Sequence, residues 1–392
     1  MRVNANRKVH QMKRDPFKVL TKLVIFLLVF MVVGVGVFYF CSKTIENDYI
    51  TKRNATIQKN EEDEVAFNTR LNEMRASANE NFFTTDDDSA AAKQLQYWEG
   101  NIGENLWRIE DDGTTALENT TTIVASRSEL LLGGLMLVNA WHPLPSDFSD
   151  EALVTVGSTS GYKVPVKDNS VTLFRPAYDA LYEALEAAAG EGLEKYIVQE
   201  GYRTNDQQTK LFNDRMAKLQ DRYSGDILIE QAKKDVNYPG TSEYQTGFSF
   251  NMRLYPNPES IDFVESDQGK WLLENGWRYG IVFRFPTRDF PSAAWEDKSY
   301  KTGVSVELNL FRYVGEAHAA AMRTMNFCLE EYIEFLIKHP HISIYENGSL
   351  RYEIFRIADT GEASFELPVP NPANGYQMSL DNMGGIVMAY SY

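Results

Sequence analysis

Between Lys22 and Lys43 runs an uncharged apolar stretch, Leu23 to Cys41, nineteen residues long, and no other feature constrains the fold of this chain as strongly. At about 1.5 Å of rise per residue it makes a helix of roughly 28 Å, close to the ~30 Å hydrocarbon core of a bilayer. Seven basic residues (Arg2, Arg7, Lys8, Lys13, Arg14, Lys18 and Lys22) precede it, against only Asp15. The positive-inside rule then places the short N-terminus in the cytoplasm and everything after about Lys43 outside. A cleaved signal peptide would have a shorter apolar core and a small-x-small cleavage site. Phe38-Tyr39-Phe40 is bulky instead, and Phe40 also stands where a lipoprotein anchored through Cys41 would need a small residue. The expectation is a basic cytoplasmic tail over 1–22 and an uncleaved membrane span over 23–41.

Setting aside the first 22 residues leaves 32 Lys+Arg against 54 Asp+Glu, a net charge of −22 from residue 23 onward. Such a balance argues against nucleic acid as a partner and against tight electrostatic binding to acidic polymers. The two cysteines, Cys41 in the apolar run and Cys328 far downstream, give no disulfide framework. A disulfide-free outer domain of this size fits a Gram-positive bacterial surface better than a eukaryotic secretory route.

Residues 44–95 are polar and acidic, with Glu61-Glu62-Asp63-Glu64 and Asp86-Asp87-Asp88, and are expected to be an extracellular stalk. Trp98 to Arg127 is mixed and carries no assignment. A folded domain is expected over 129–325. In it Ala177, Leu181, Ala184, Leu185 and Ala188 recur at helical spacing between Pro176 and Gly190. Tyr196 to Val198 reads as a short buried strand, and Leu211, Phe212, Met216 and Leu219 mark a second amphipathic helix. Helices and short strands without strict alternation predict an α+β domain. Residues 326–392 are expected to form a helix over Cys328–Lys338 and then a small β-rich appendage. Its strands fall at Ile342–Tyr345, Arg351–Ile357, Ser364–Val369 and Ile386–Tyr392, and Asn347-Gly348 gives a hairpin signal.

Chemistry concentrates in Ser242-Glu243-Tyr244-Gln245-Thr246-Gly247-Phe248-Ser249-Phe250-Asn251. This segment resembles the S-x-H-x-x-G-x-x-x-D signature of the VanY-type D-alanyl-D-alanine carboxypeptidases, zinc enzymes that trim cell-wall stem peptides. Other segments are similar to that family in the same order. They are Leu137-Val138-Asn139 with Pro143-Leu144-Pro145; Gly201-Tyr202-Arg203-Thr204 with Gln208 and Leu211-Phe212; and Pro239-Gly240-Thr241-Ser242-Glu243. Further on come Trp271-Leu272, Tyr279-Gly280-Ile281, Arg284-Phe285-Pro286, and Glu307 followed by Arg312-Tyr313-Val314-Gly315. The resemblance covers roughly residues 130–325. It implies a VanY-like peptidase fold in which zinc would be held at positions 244, 251 and 310, with Glu307 as general base.

The residues at those three positions are Tyr244, Asn251 and Leu310. A catalytic zinc needs three protein ligands plus water. Leu310 offers no donor, Asn251 a neutral carbonyl, and Tyr244 a phenol with an unperturbed pKa of about 10. The expectation is therefore no bound zinc and no other cofactor. His10, His142, His318, His339 and His341 lie outside the motifs, His318 is expected on a helix, and His339 and His341 flank Pro340 in an expected surface loop.

Without a metal, Glu307 is open to three readings: a leftover of catalysis, an acceptor for a bound ammonium, or a structural carboxylate. By the resemblance Arg203, Gln208 and Ser242 fall near the substrate end. Arg203 would take a terminal carboxylate through charge-assisted bonds, or else brace the helix start through an internal salt bridge. Trp271 and Trp277 read as core. The functional expectation is a membrane-anchored, inactive VanY homologue that binds a peptidoglycan stem peptide or a cell-wall protein partner. An active D,D-carboxypeptidase with an atypical metal site is the alternative. A third reading is a structural protein whose pocket is filled by Tyr244 and Leu310.

Overall fold

The computed structural model describes residues 23–44, seven further positions of the same helix (Phe17, Leu20, Asn47, Ile50, Thr51, Asn54 and Gln58), and residues 96–392 apart from 112 and 115. Two units result, residues 1–61 and residues 62–392. The expected stalk falls almost wholly outside the described residues. In the first unit, helix α1 (Leu23–Thr44) has 22 residues, and its most apolar 18-residue window has a mean hydropathy of 2.9 and no burial within the protein. It is long and apolar enough to cross a membrane, a property it shares with signal sequences.

The second unit begins ahead of the expected domain, with strands over the stretch that carried no assignment. Strands β1 (Gln96–Ile102) and β2 (Asn105–Asp111) form a hairpin turning through Gly103, which lies in the left-handed region. Strand β3 (Thr120–Ser126) runs into the short helix α2 (Arg127–Leu130), where Ser126 and Glu129 cap each other's backbone N–H groups. Strand β4 (Leu153–Thr155) and helix α3 (Val156–Thr159) follow, then strand β5 (Thr172–Phe174), which pairs with β4. Helix α4 (Arg175–Gly190) starts with Pro in its first turn and buries Ala177, Leu181, Ala184, Leu185 and Ala188, the five expected positions.

Strand β6 (Tyr196–Glu200) leads into helix α5 (Asn205–Leu219), which opens on a Thr204/Gln207 capping box, and then helix α6 (Gly225–Lys233). The chain continues through strand β7 (Ser249–Leu254), helix α7 (Asp267–Asn275), strand β8 (Ile281–Phe283), helix α8 (Ser299–Thr302) and strand β9 (Leu310–Tyr313). Strands β6, β7, β9 and β8 form an antiparallel sheet in that order. Helices α9 (Glu316–Met325) and α10 (Leu329–Lys338) precede five C-terminal strands. These are β10 (His341–Glu346), β11 (Ser349–Ala358), β12 (Ser364–Pro370), β13 (Gly375–Leu380) and β14 (Gly385–Ser391).

The C-terminal strands expected from the sequence are present, and β13 is an addition. They complete a sheet with the N-terminal hairpin, in the order β1-β2-β10-β11-β14-β13, while β12 pairs with β3. One apolar core joins α4 and the β6–β9 sheet to Phe355, Phe365, Leu367, Met388 and Tyr390 of the C-terminal strands. A second fills the space between α9, α10 and the six-stranded sheet, and it contains Trp277. The result is a mixed α+β architecture.

The histidines behave differently from their surface-loop expectation. His341 opens β10 and is only 8% exposed, its ring held between the Thr114 hydroxyl and the Glu353 carboxylate, each at 2.7 Å. His339 pairs with Asp111 at 2.7 Å. The burial follows from β10 lying in the middle of its sheet, between β2 and β11. His318 is helical as expected, fully buried on α9, with its Nδ1 2.8 Å from the Tyr332 hydroxyl.

Candidate functional site

The antiparallel register sets Glu200 of β6 opposite Asn251 of β7, and Asn251 opposite Leu310 of β9. Directly opposed residues on neighbouring strands share one face with Cβ atoms about 5 Å apart. Three residues from widely separated motifs therefore stand in one row across the sheet. A 3₁₀ turn (Glu243–Thr246) ends on Gly247, whose left-handed φ of 75° and close approach to the Phe174 ring both exclude a side chain there. This turn carries Tyr244 to the same row, where the Asn251 Nδ2 donates to the Tyr244 hydroxyl at 3.5 Å.

The row is filled. Leu310 is fully buried and Tyr244 is 9% exposed, and the two pack with Phe285 in a small apolar cluster flanked by Val304 and Leu308. Burial, with the charge of Glu200 behind it, pushes the Tyr244 phenol up to about 12, against the smaller opposing pull of Arg203 and the Asn251 bond. A phenol in that state is protonated throughout the physiological range. Position 310 supplies a hydrocarbon, 251 a neutral amide and 244 a protonated phenol, so this donor set does not fit zinc. Among the described residues no three His, Cys, Asp or Glu side chains group as a metal site elsewhere.

Glu307 lies on the loop before β9, exposed, with no hydrogen-bond or ion-pair partner among the described residues. The neighbours Val304 and Leu308 from the same loop reach inward to the apolar cluster. Arg203 is tightly held. Its Nε and Nη2 donate to Glu200 Oε1 at 2.8 and 2.7 Å, and its Nη1 donates to Gln208 Oε1 at 2.7 Å. Its guanidinium carbon sits 4.2 Å from the centre of the Tyr244 ring, a cation–π contact. Gln208 is fully buried and passes the chain of bonds to the Asn237 carbonyl at 2.6 Å. Ser242 is 2% exposed and heads the 3₁₀ turn without a side-chain cap bond. The structure thus joins Arg203 to Gln208 and places both beside Tyr244, in the internal-brace arrangement that was one of the two readings of Arg203.

The sequence reading passed over a buried ionic network beside this row, at the next opposed pair along the sheet, Ser249 and Arg312. Glu243 is 4% exposed and accepts from Arg284 Nε at 2.9 Å, from Ser249 Oγ at 2.6 Å and from Arg312 Nη1. Arg284 in turn forks onto both oxygens of Glu330, at 2.9 and 2.7 Å, and Asn139 donates to the same carboxylate at 3.1 Å. Arg312 fixes the entering chain through the carbonyls of Gly134 and Met136, each at 2.8 Å. Two guanidinium and two carboxylate groups balance with no net charge. Burial alone would raise both carboxyls, and the facing guanidinium groups outweigh it and hold them below the usual range. The signal was present: Arg312 stands among Leu310, Phe311 and Val314, and Arg284 between Phe283 and Phe285, where an unpaired cation has no place.

Comparison with known proteins follows the same motifs. The family model for VanY, described as D-alanyl-D-alanine carboxypeptidase, matches residues 171–316. A D-alanyl-D-alanine carboxypeptidase of Enterococcus faecium is 28% identical over 301 residues, covering 75% of this chain and 86% of that protein. The bifunctional D-Ala-D-Ala dipeptidase and D-Ala-D-Ala carboxypeptidase VanXYC of Enterococcus gallinarum is 30% identical over 207 residues, 52% of this chain and 94% of that protein. Among solved structures, the vancomycin resistance D,D-dipeptidase VanXYg in complex with a D-Ala-D-Ala phosphinate analogue superposes with a TM-score of 0.54. It does so at 24% identity, over 70% of this chain and 99% of that one, a likeness of fold.

Proposed function

Because the chain belongs to the VanY family of D-alanyl-D-alanine carboxypeptidases, we propose that it is a non-hydrolysing member that holds a peptidoglycan stem peptide at the cell surface. The observation that supports the non-hydrolysing half of this reading is the filled row, in which Tyr244 and Leu310 pack against Phe285 where the family resemblance calls for zinc ligands; the peptide-holding half rests on family membership, and the same filling fits the structural reading. Zinc, where a member of the family binds it, supplies an activated water and takes up the negative charge that develops at the scissile carbonyl. The exposed carboxylate of Glu307 replaces neither contribution. Arg203, with 14% of its side chain exposed, remains as the group that a peptide end would approach, and the buried Gln208 and Ser242 would position it from within.

Full-length protein in detergent, supplied with zinc, is expected to release no D-alanine from an acylated D-Ala-D-Ala peptide and to retain no zinc through gel filtration. Turnover that a chelator stops and Glu307→Ala abolishes would overturn the reading in favour of an active carboxypeptidase with an atypical metal site.

Helix α1 supports a single-pass anchor with a cytoplasmic N-terminus and the second unit outside, given the seven basic residues before it. The protein is expected to stay with membranes under alkaline carbonate, and protease added to intact protoplasts should digest the second unit. A soluble product lacking its first forty or so residues would make α1 a cleaved leader instead.

A further inference from the structure

The residue before Gly201-Tyr202-Arg203-Thr204 is Glu200, and the family motif S-G-Y-R-S that this segment resembles has serine there. We infer that Glu200 is a specificity-determining residue: its carboxylate occupies the edge of Arg203 that a ligand's terminal carboxylate would take, so the protein accepts stem peptides without selecting for a free C-terminus. This rests on the peptide-binding reading above and deepens it.

The geometry is that of an internal ligand. Both Arg203 contacts to Glu200 fall on one oxygen, at 2.8 and 2.7 Å, so two guanidinium N–H groups share a single charged acceptor. Gln208 takes the third nitrogen and the Tyr244 ring covers one face, so all three guanidinium nitrogens are engaged. Arg203 has only 14% of its side chain exposed, whereas Glu200 has 39% and forms the solvent side of the pair. The pair carries no net charge, which removes the attraction a free carboxylate would feel. A carboxylate tethered three residues away also acts at an effective concentration on the order of millimolar or higher, which a micromolar peptide does not match.

The placement follows from the fold. Strand β6 breaks register between Val198 and Glu200, and this irregularity sets Glu200 opposite Asn251 at the end of the row. Two of this chain's departures from the family motif, Glu200 and Tyr244, thereby converge on one guanidinium.

The test uses the full-length protein in detergent, as wild type and as E200S and E200Q, with two readouts. The first is labelling of Arg203 by phenylglyoxal, located by mass spectrometry in the absence of peptide. Wild-type Arg203 is expected to label at least about tenfold more slowly than in either variant, because the paired guanidinium is covered. Equal labelling overturns the inference. The second is calorimetric binding of an acylated D-Ala-D-Ala peptide as free acid and as C-terminal amide. Wild type is expected to bind both within about twofold, while E200S and E200Q gain about tenfold for the acid alone. A wild type that already prefers the acid, unchanged in the variants, also overturns it. No binding of either peptide by any variant, with the labelling difference intact, overturns the peptide-binding reading and the specificity role with it, and leaves Glu200 as a structural partner of Arg203.

Discussion

Glu243→Ala is expected to cost the second unit about 3–5 kcal/mol, the range for removing one partner from a buried ion pair. The effect is large because Glu243 faces two buried cations, Arg284 and Arg312, both fully excluded from solvent. Without its carboxylate, Arg284 keeps Glu330, but Arg312 is left with neutral acceptors, the Gly134, Met136 and Tyr313 carbonyls and the Thr246 hydroxyl. Urea denaturation of the purified variant measures the loss, and a change below 1 kcal/mol would show that water reaches the guanidinium groups. Arg175→Ala, which removes the exposed Arg175–Asp179 pair, is the control and should leave the midpoint unchanged. The network also fixes the sign of the acid response. Glu243 and Glu330 are held below the ordinary carboxyl range, so their contribution is fully present above the unfolded value of about 4.3. It is lost as pH falls through the lower folded values. Glu243→Ala should flatten part of that acid limb.

Restoring the family's ligand set should turn a protein that takes up no zinc into one that binds a single ion. Tyr244→His, Asn251→Asp and Leu310→His together put three donors on positions that already converge. Residues 251 and 310 are opposed across β7 and β9, and the Tyr244 hydroxyl lies within 3.5 Å of the Asn251 amide. Replacing the buried Leu310 with a polar ring loses packing against Phe285, so the metal-free variant is expected to melt lower than wild type. Zinc should then raise its melting temperature in proportion to the logarithm of free ion, while wild type and the three single variants show no shift. A folded triple variant that takes up no zinc would mean that the row has lost the ligand spacing as well as the ligands.

Much of the fold was legible because it is written in local periodicity. The α4 stripe from Ala177 to Ala188, the helix α5 marked by Leu211, Phe212, Met216 and Leu219, and the Asn347-Gly348 hairpin each depend on neighbours within a turn or two. Strands β2 and β3 were missed for the opposite reason, whereas β1 meets only its local partner β2 among the described strands. β2 acquires its second partner from β10, more than 230 residues away, and β3 pairs only with β12. The family resemblance marked Tyr244, Asn251 and Leu310 as one site, and the sheet register brings them together. Spacing did not disclose Glu200, since its place in the row depends on a register shift after Val198. Nor did it disclose that Glu243, Arg284 and Arg312 form a buried framework beside the site, because charged residues in a functional motif are read first as ligands for something else.

The interlocking of the first and last strands bears on how the protein is made. A chain synthesised from its N-terminus presents residues 96–126 long before their partners exist. Strand β2 cannot meet β10 until residue 346 has been made, and β3 cannot meet β12 until residue 370. For that interval the hairpin of β1 and β2 displays an open edge, the kind of surface that pairs with the wrong neighbour. Biogenesis of this protein is therefore a matter of keeping an unfinished sheet apart from its copies until the ribosome reaches the last fifty residues.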